Sequence, residues 1–211
     1  MKLSQAATFS GGAVLVATLF STFVARPGLR MNSVFLPRKV WLLEQPELWQ
    51  IHWWLWLVAI FSWMCLLVTF VWRYTPAHRV ATMLQNGLMV ISAVLAILGA
   101  LVWMGTLPRI VMVDDPTIWV QLIDNLALTL LGGGAFMGGV VTLWITVDLL
   151  NLRKLTLSWL APGILAGLAL IPSPFLLPSF YHLILAAIFW VIWCIVLIIR
   201  RPEPKPFPEL L

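Results

Sequence analysis

The placement of the charged residues is the feature that most constrains what this chain can fold into. They occur in clusters separated by long uncharged runs: Leu3–Ala25, Leu48–Trp72, Val80–Pro108, Asn125–Val147 and Leu155–Ile199. A transmembrane helix needs about 20 mostly apolar residues to cross about 30 Å of hydrocarbon, so each of the first four runs predicts one span. The fifth run is 45 residues long. It predicts two spans joined by a turn at Pro172, Ser173, Pro174 and Pro178.

The composition indicates that lipid, rather than water, surrounds most of the chain. Hydrophobic residues make up 62% of the sequence and charged residues 10%, against roughly a quarter charged in a soluble domain. Backbone polar groups cannot stay unpaired in lipid, and these runs are far longer than the strands of a membrane barrel. We therefore predict an all-α polytopic membrane protein, one domain over residues 1–211 with about six transmembrane helices. The predicted spans are 6–25, 49–72, 82–105, 119–149, 156–172 and 179–199.

The distribution of basic residues predicts the orientation, because Lys and Arg accumulate in cytoplasmic loops. Basic residues occupy the C-terminal tail and the connections near residues 73–79 and 153–154. This pattern places both termini in the cytoplasm, with the plasma (inner) membrane favoured and an internal membrane such as the thylakoid as the alternative. The Pro-rich tail, residues 200–211, is predicted to be extended.

The connection between the first two spans does not fit this orientation. Arg26, Arg30, Arg38 and Lys39 lie on the side that the other loops assign to the outside. Either the first span does not cross fully, or another group holds these charges. Apolar residues alternate with the basic ones, so we expect an interfacial segment here.

Glycines are concentrated in the fourth and fifth spans. They are Gly132, Gly133, Gly134, Gly138, Gly139, Gly163 and Gly167. Small residues four apart let a neighbouring helix approach closely, so helix packing is the main interpretation. Three consecutive glycines also allow a hinge or an unwound turn at a pore or ligand site.

Tryptophans form a second pattern. Trp49, Trp53, Trp56 and Trp63 are spaced three or four apart, or a multiple of that spacing, which places them on one helix face. An aromatic belt at the lipid headgroups accounts for six of the 13 tryptophans: Trp49, Trp53, Trp72, Trp103, Trp119 and Trp159.

A possible ligand site comes from the predicted topology. His52, Asp124 and His182 lie at similar depths near the same ends of the second, fourth and sixth spans, with Asn125 and Tyr181 beside them. Two imidazoles and a carboxylate suit a transition metal, and two imidazoles suit a haem, provided that the three helices are neighbours. The alternative is that each residue is a solvated group at the membrane surface.

Three classes of function remain open. No Asp, Glu, Lys or Arg lies deep within a predicted span, which disfavours ion-coupled transport, and no catalytic or nucleotide-binding motif is present. We expect a non-enzymatic subunit or assembly factor of a membrane complex, whose partners are the lipid bilayer, other membrane subunits or a second copy. The alternatives are a carrier or channel for an uncharged or lipid-like substrate, and an electron-transfer protein that binds haem, quinone or pigment. The sequence assigns no cofactor, and the net charge of +5 is explained by topology without nucleic-acid binding.

Overall fold

A computed structural model describes residues 2–31, 35–76, 79–113 and 115–200. In these ranges the chain forms helices and turns and no strand. The helices are α1 (Leu3–Phe23), α2 (Arg26–Leu29), α3 (Phe35–Glu44), α4 (Pro46–Tyr74), α5 (Val80–Ile110), α6 (Thr117–Asn151), α7 (Leu157–Leu170), α8 (Ser173–Leu176) and α9 (Tyr181–Arg200). The predicted tail 200–211 lies outside the described residues except for Arg200.

Five of these helices, α1, α4, α5, α6 and α9, are long and apolar enough to cross a membrane. The prediction of an all-α polytopic membrane protein is therefore confirmed, although the count of six spans is not. The predicted fifth span, 156–172, corresponds to α7, which has 14 residues and is about 21 Å long at 1.5 Å per residue. It ends just before Pro172 and Ser173, and α8 follows at once.

The long helices and α7 form a closed ring. Packing contacts join α1 to α4, α4 to α5, α5 to α6, α6 to α7, α7 to α9, and α9 back to α1. One end of the ring carries Ser21, His52 and Asp124, and we call it the His52 end. The opposite end, which carries Asp148 and Arg200, is the Asp148 end.

The half of the ring nearer the Asp148 end is filled by apolar side chains from all six ring helices. Phe70 of α4 stacks on Trp193 of α9, with ring centroids 5.1 Å apart and planes inclined by 8°. The Trp193 indole nitrogen donates a hydrogen bond to the Trp159 carbonyl oxygen at 2.9 Å. Because lipid tails are as apolar as this core, its stability depends on close van der Waals packing and on such hydrogen bonds.

Small residues set the helix spacing around α6. A Cβ atom at Gly134 would lie 2.7 Å from the Ala96 backbone nitrogen of α5, and one at Gly139 would lie 2.7 Å from the Gly167 carbonyl oxygen of α7. At both contacts the backbones approach too closely for any side chain. Gly163 lies against the Trp193 indole, Gly138 against Ser92, and Gly132 against Pro174 and Leu177.

Gly133 differs from these glycines, because the nearest atom to a Cβ there would be the Leu95 side chain at 3.7 Å. α6 is continuous through Gly132, Gly133 and Gly134. The unwound turn that three glycines allow is therefore not present in this structure.

The predicted aromatic belt is wrong for three tryptophans. Trp49, Trp53 and Trp103 are buried and pack on one another, and the Trp49 indole nitrogen donates to the Trp103 carbonyl oxygen at 3.0 Å. Trp72 and Trp119 do remain exposed, by 84% and 55%. The sequence period identifies a shared helix face, but it does not tell whether that face meets lipid or another helix.

Candidate functional site: an interhelical cavity

The half of the ring nearer the His52 end encloses a cavity of about 820 Å³. All six ring helices contribute to its wall, together with residues 26–31 and 177–181 at the His52 end. Most of the lining side chains are aliphatic, aromatic or small. A space of this size and character is typical of a site for a small apolar or amphipathic molecule.

Two tryptophans close the cavity on the side of the Asp148 end. Trp63 of α4 and Trp190 of α9 have ring centroids 6.5 Å apart. Their indole nitrogens donate to Thr142 Oγ1 at 3.3 Å and to Ser10 Oγ at 2.9 Å. Because these hydrogen bonds satisfy the polar edges, the rings line the cavity floor with apolar surface, and the packed half of the ring lies beneath them.

The mouth of the cavity follows from the way α1 and α9 diverge. Near the floor the two helices touch, since a Cβ atom at Gly11 would lie 2.8 Å from the Cβ of Cys194. Closer to the His52 end, Thr18 and Ser21 of α1 and Ile184 of α9 line the cavity instead. The exposed side chains of Arg26, Arg30 and Tyr181 also line it there, so the opening lies at the His52 end.

A hydrogen-bonded group forms the polar part of the wall. Ser21 Oγ donates to the Ala17 carbonyl oxygen at 2.7 Å and accepts a hydrogen bond from the Trp56 indole nitrogen at 2.9 Å. His52 Nε2 lies 2.9 Å from the same hydroxyl. Among the described residues, the other ring nitrogen, His52 Nδ1, has no hydrogen-bond partner.

Three buried polar atoms of lining residues have no hydrogen-bond partner within the described ranges: Thr18 Oγ1, His52 Nδ1 and Trp53 Nε1. Leaving a buried polar atom unpaired typically costs about 1 to 3 kcal/mol. Such atoms are uncommon in folded proteins, and all three belong to lining residues near the His52 end of the cavity.

The structure separates the residues of the predicted metal or haem site. His52 bonds to Ser21, His182 Nε2 lies 3.1 Å from Ser173 Oγ, and Asp124 binds Arg38. Their helices α4 and α9 both pack against α1, and the described residues hold no group of three or more His, Cys, Asp or Glu side chains placed to share a metal ion. The described residues therefore do not form the predicted three-residue metal site. Asn125 is exposed, and of the five predicted residues His52 and Tyr181 line the cavity.

Asp124 belongs instead to a buried ion pair, which the sequence analysis did not predict. The Arg38 guanidinium binds both carboxylate oxygens of Asp124, and its Nε donates to the Gly28 carbonyl oxygen at 2.7 Å. The Trp103 indole nitrogen donates to Asp124 Oδ1 at 2.8 Å. The pair ties the α2–α3 segment to α6. It also explains one of the four basic residues that did not fit the predicted orientation.

A second ion pair lies at the Asp148 end. Arg79 Nη1 contacts both Asp148 oxygens at 2.7 Å, and Gln85 Nε2 donates to Asp148 Oδ2 at 3.2 Å. The Arg79 side chain is 38% exposed, whereas that of Arg38 is 3% exposed. The two pairs hold α6 near both of its ends.

Sequence reasoning missed most of the cavity lining. On α1, Val14, Thr18, Ser21 and Thr22 follow a spacing of three or four residues and line one wall. This period is visible in the sequence, but a stripe of small polar residues on an apolar helix equally predicts helix packing. Comparison with known proteins supplies no further guide: the chain matches no protein-family model, no curated protein and no solved structure.

Proposed function

We propose that this integral membrane protein binds a lipid-like amphiphile in the interhelical cavity, as a carrier or lipid-handling protein. The cavity itself is the observation that supports this proposal, and it favours the carrier class over a purely structural subunit. A purely structural subunit needs only packed helices, and the half of the ring nearer the Asp148 end is packed in this way. The other half contains a cavity and therefore lacks the packing contacts that a bound molecule would supply.

The dimensions of the cavity suit one leaflet of a bilayer. His52 near the mouth and Trp63 at the floor are 11 residues apart on α4, or about 16 Å along the helix axis at 1.5 Å per residue. Half of a hydrocarbon core is about 15 Å. An amphiphile from the adjacent leaflet therefore fits with its tail on the tryptophan floor and its polar group at the mouth.

The polar and apolar groups of the cavity wall follow the same order, from mouth to floor, as the head and tail of an amphiphile. The polar groups Thr18, Ser21 and His52 lie toward the mouth, whereas the rings of Trp63 and Trp190 lie at the floor. Because the floor closes the cavity on the side of the Asp148 end, this arrangement supports binding and exchange at one surface rather than conduction through a pore.

The test is whether an amphiphile stays with the purified protein. We expect protein purified in mild detergent to retain about one amphiphile per chain, identified by mass spectrometry of an organic extract. Ala135→Phe places a ring in the cavity and should remove that molecule. Val94→Phe places the same ring at an exposed position of α5 that does not line the cavity, and this control should retain it.

Equal retention by all three proteins, or no bound molecule in the wild type, would contradict the proposal. An extract that absorbs visible light would instead support the haem or pigment alternative, and its spectrum should be recorded in the same experiment.

A further inference from the structure

We infer that the amphiphile carries an anionic headgroup, which Arg26 and Arg30 bind at the mouth of the cavity. This inference rests on the proposed function and specifies the class of its ligand. Arg26 and Arg30 are the charged members of the cavity lining, and no carboxylate lines the cavity within the described residues. The charged side chains of the lining are therefore both cationic, which favours a phosphate or carboxylate headgroup.

The position of the arginines in the sequence is an independent argument. The charge pattern of the other connections assigns the His52 end to the outside, where basic residues near span ends are disfavoured. Arg38 is accounted for by its ion pair with Asp124. Arg26 lies in α2 and lines the cavity, so an anionic ligand gives a physical reason for a basic residue at this position.

The arginines at the mouth and the tryptophans at the floor define the orientation of the ligand. Thr18 Oγ1 and His52 Nδ1 belong to residues that line the cavity between the arginines and the tryptophan floor. A headgroup at the arginines places the polar linker of a lipid at this level. An inverted ligand would bring its charge to the floor, where Trp63 and Trp190 present apolar ring faces.

The experiment compares two lipids that share one fluorescent tail and differ only in the headgroup. One is a phosphatidylglycerol, which is anionic, and the other is a phosphatidylcholine, which is zwitterionic. Both are titrated in detergent against the wild type, Arg26→Gln, the Arg26→Gln/Arg30→Gln double variant, and Arg109→Gln. Arg109 is an exposed arginine of α5 that does not line the cavity, and it controls for surface charge.

We expect the wild type and Arg109→Gln to bind the anionic lipid about fivefold more tightly than the zwitterionic one, the range of a few exposed charge contacts. The preference should shrink in Arg26→Gln and disappear in the double variant, with unchanged affinity for phosphatidylcholine and an unchanged melting temperature. Added salt should weaken the preference in the wild type.

Two results would overturn the inference, and they differ in what they imply for the proposed function. Equal binding of both lipids by the wild type, abolished by Ala135→Phe, would leave the cavity as a lipid site and remove the anionic headgroup. Binding that Ala135→Phe does not affect, or no binding of either lipid, would contradict both. If the double variant fails to fold, the single Arg26→Gln variant still tests the inference. If that variant keeps the full wild-type preference for the anionic lipid, the role of Arg26 is contradicted.

Discussion

Arg38 and Asp124 illustrate what a buried ion pair requires in a protein surrounded by lipid. The guanidinium reaches both carboxylate oxygens, and its remaining Nε donor is taken by the Gly28 carbonyl. Trp103 satisfies a further acceptor site of Asp124. With each partner supplied, the two charges can lie away from water, whereas a single charge at this position could not.

Removing one partner of this pair should therefore destabilise the protein strongly. Arg38→Gln leaves a buried carboxylate without its counterion, and we expect it to lower the free energy of unfolding in detergent by about 3 kcal/mol. Arg79→Gln is the matched control, because the Arg79 side chain is more than a third exposed and such pairs contribute at most about 1 kcal/mol. A smaller loss for Arg38→Gln than for Arg79→Gln would show that the Arg38 pair does not fasten the α2–α3 segment.

The sequence shows both charged residues, but the pairing of Arg38 with Asp124 cannot be predicted from it. Asp124 lies near the start of an apolar run, and Arg38 lies 86 positions earlier in an apparently misplaced basic group. The excess of positive charge on that side indicates that something must compensate it. Which carboxylate does so depends on where α3 lies relative to the start of α6, and no local pattern encodes that position.

At the level of elements, α6 is the helix on which the bundle depends most closely. It packs on α5 through Gly134 and on α7 through Gly139, and it is held by ion pairs at both ends. Its glycines act as contact surfaces within a continuous helix.

Gly133 is a matched control for the prediction that Gly134 is a close-packing contact between α5 and α6. Gly134→Ala brings a methyl group within 2.7 Å of the Ala96 backbone, and we expect this overpacking to cost about 1 to 3 kcal/mol. Gly133→Ala meets only a side chain at 3.7 Å and should be neutral or stabilising by up to about 1 kcal/mol, because alanine favours helix over glycine. Melting of both variants in detergent checks this, and equal effects would mean that the α5–α6 contact at Gly134 is not tight.

Charge spacing predicted five long helices to within a few residues of their ends, because uncharged stretches of that length have few other structures open to them in lipid. Charge spacing alone does not divide the last uncharged run, which extends from Leu155 to Ile199. The prolines at 172 and 174 mark the end of α7, which is at Leu170 in the structure.

At the scale of the whole molecule, the ring of six helices forms the wall of the cavity. Neighbouring helices in the sequence are also neighbours in the ring, and contact of α1 with α9 closes it. Pairwise order could be anticipated from the short connections. The closure could not, and it joins α1 to α9 near the cavity floor, where Gly11 lies against Cys194.

The orientation of this ring is a prediction that labelling can check. In a background with Cys65 and Cys194 replaced by alanine, Phe175→Cys should react with an impermeant maleimide on intact cells, because it is 86% exposed at the His52 end. Leu157→Cys, 56% exposed at the other end, should react only after permeabilisation. The reverse pattern would place the cavity mouth in the cytoplasm and contradict the positive-inside assignment.

The separation between the two ion pairs of α6 also limits the thickness of the membrane that the protein can span. Asp124 and Asp148 are 24 residues apart, about 36 Å along the axis at 1.5 Å per residue, slightly more than a hydrocarbon core of about 30 Å. A bilayer of that thickness leaves both carboxylates at its borders, whereas a much thicker one would draw a charged pair into hydrocarbon or force α6 to tilt. Because α6 packs against α5 and α7 through glycines that tolerate little shift, tilting would have to carry the whole ring. The protein is thus matched to membranes whose hydrocarbon core is no thicker than about 36 Å, which includes sterol-rich plasma membranes of about 32 to 33 Å, and bilayers thicker than this should accommodate it poorly.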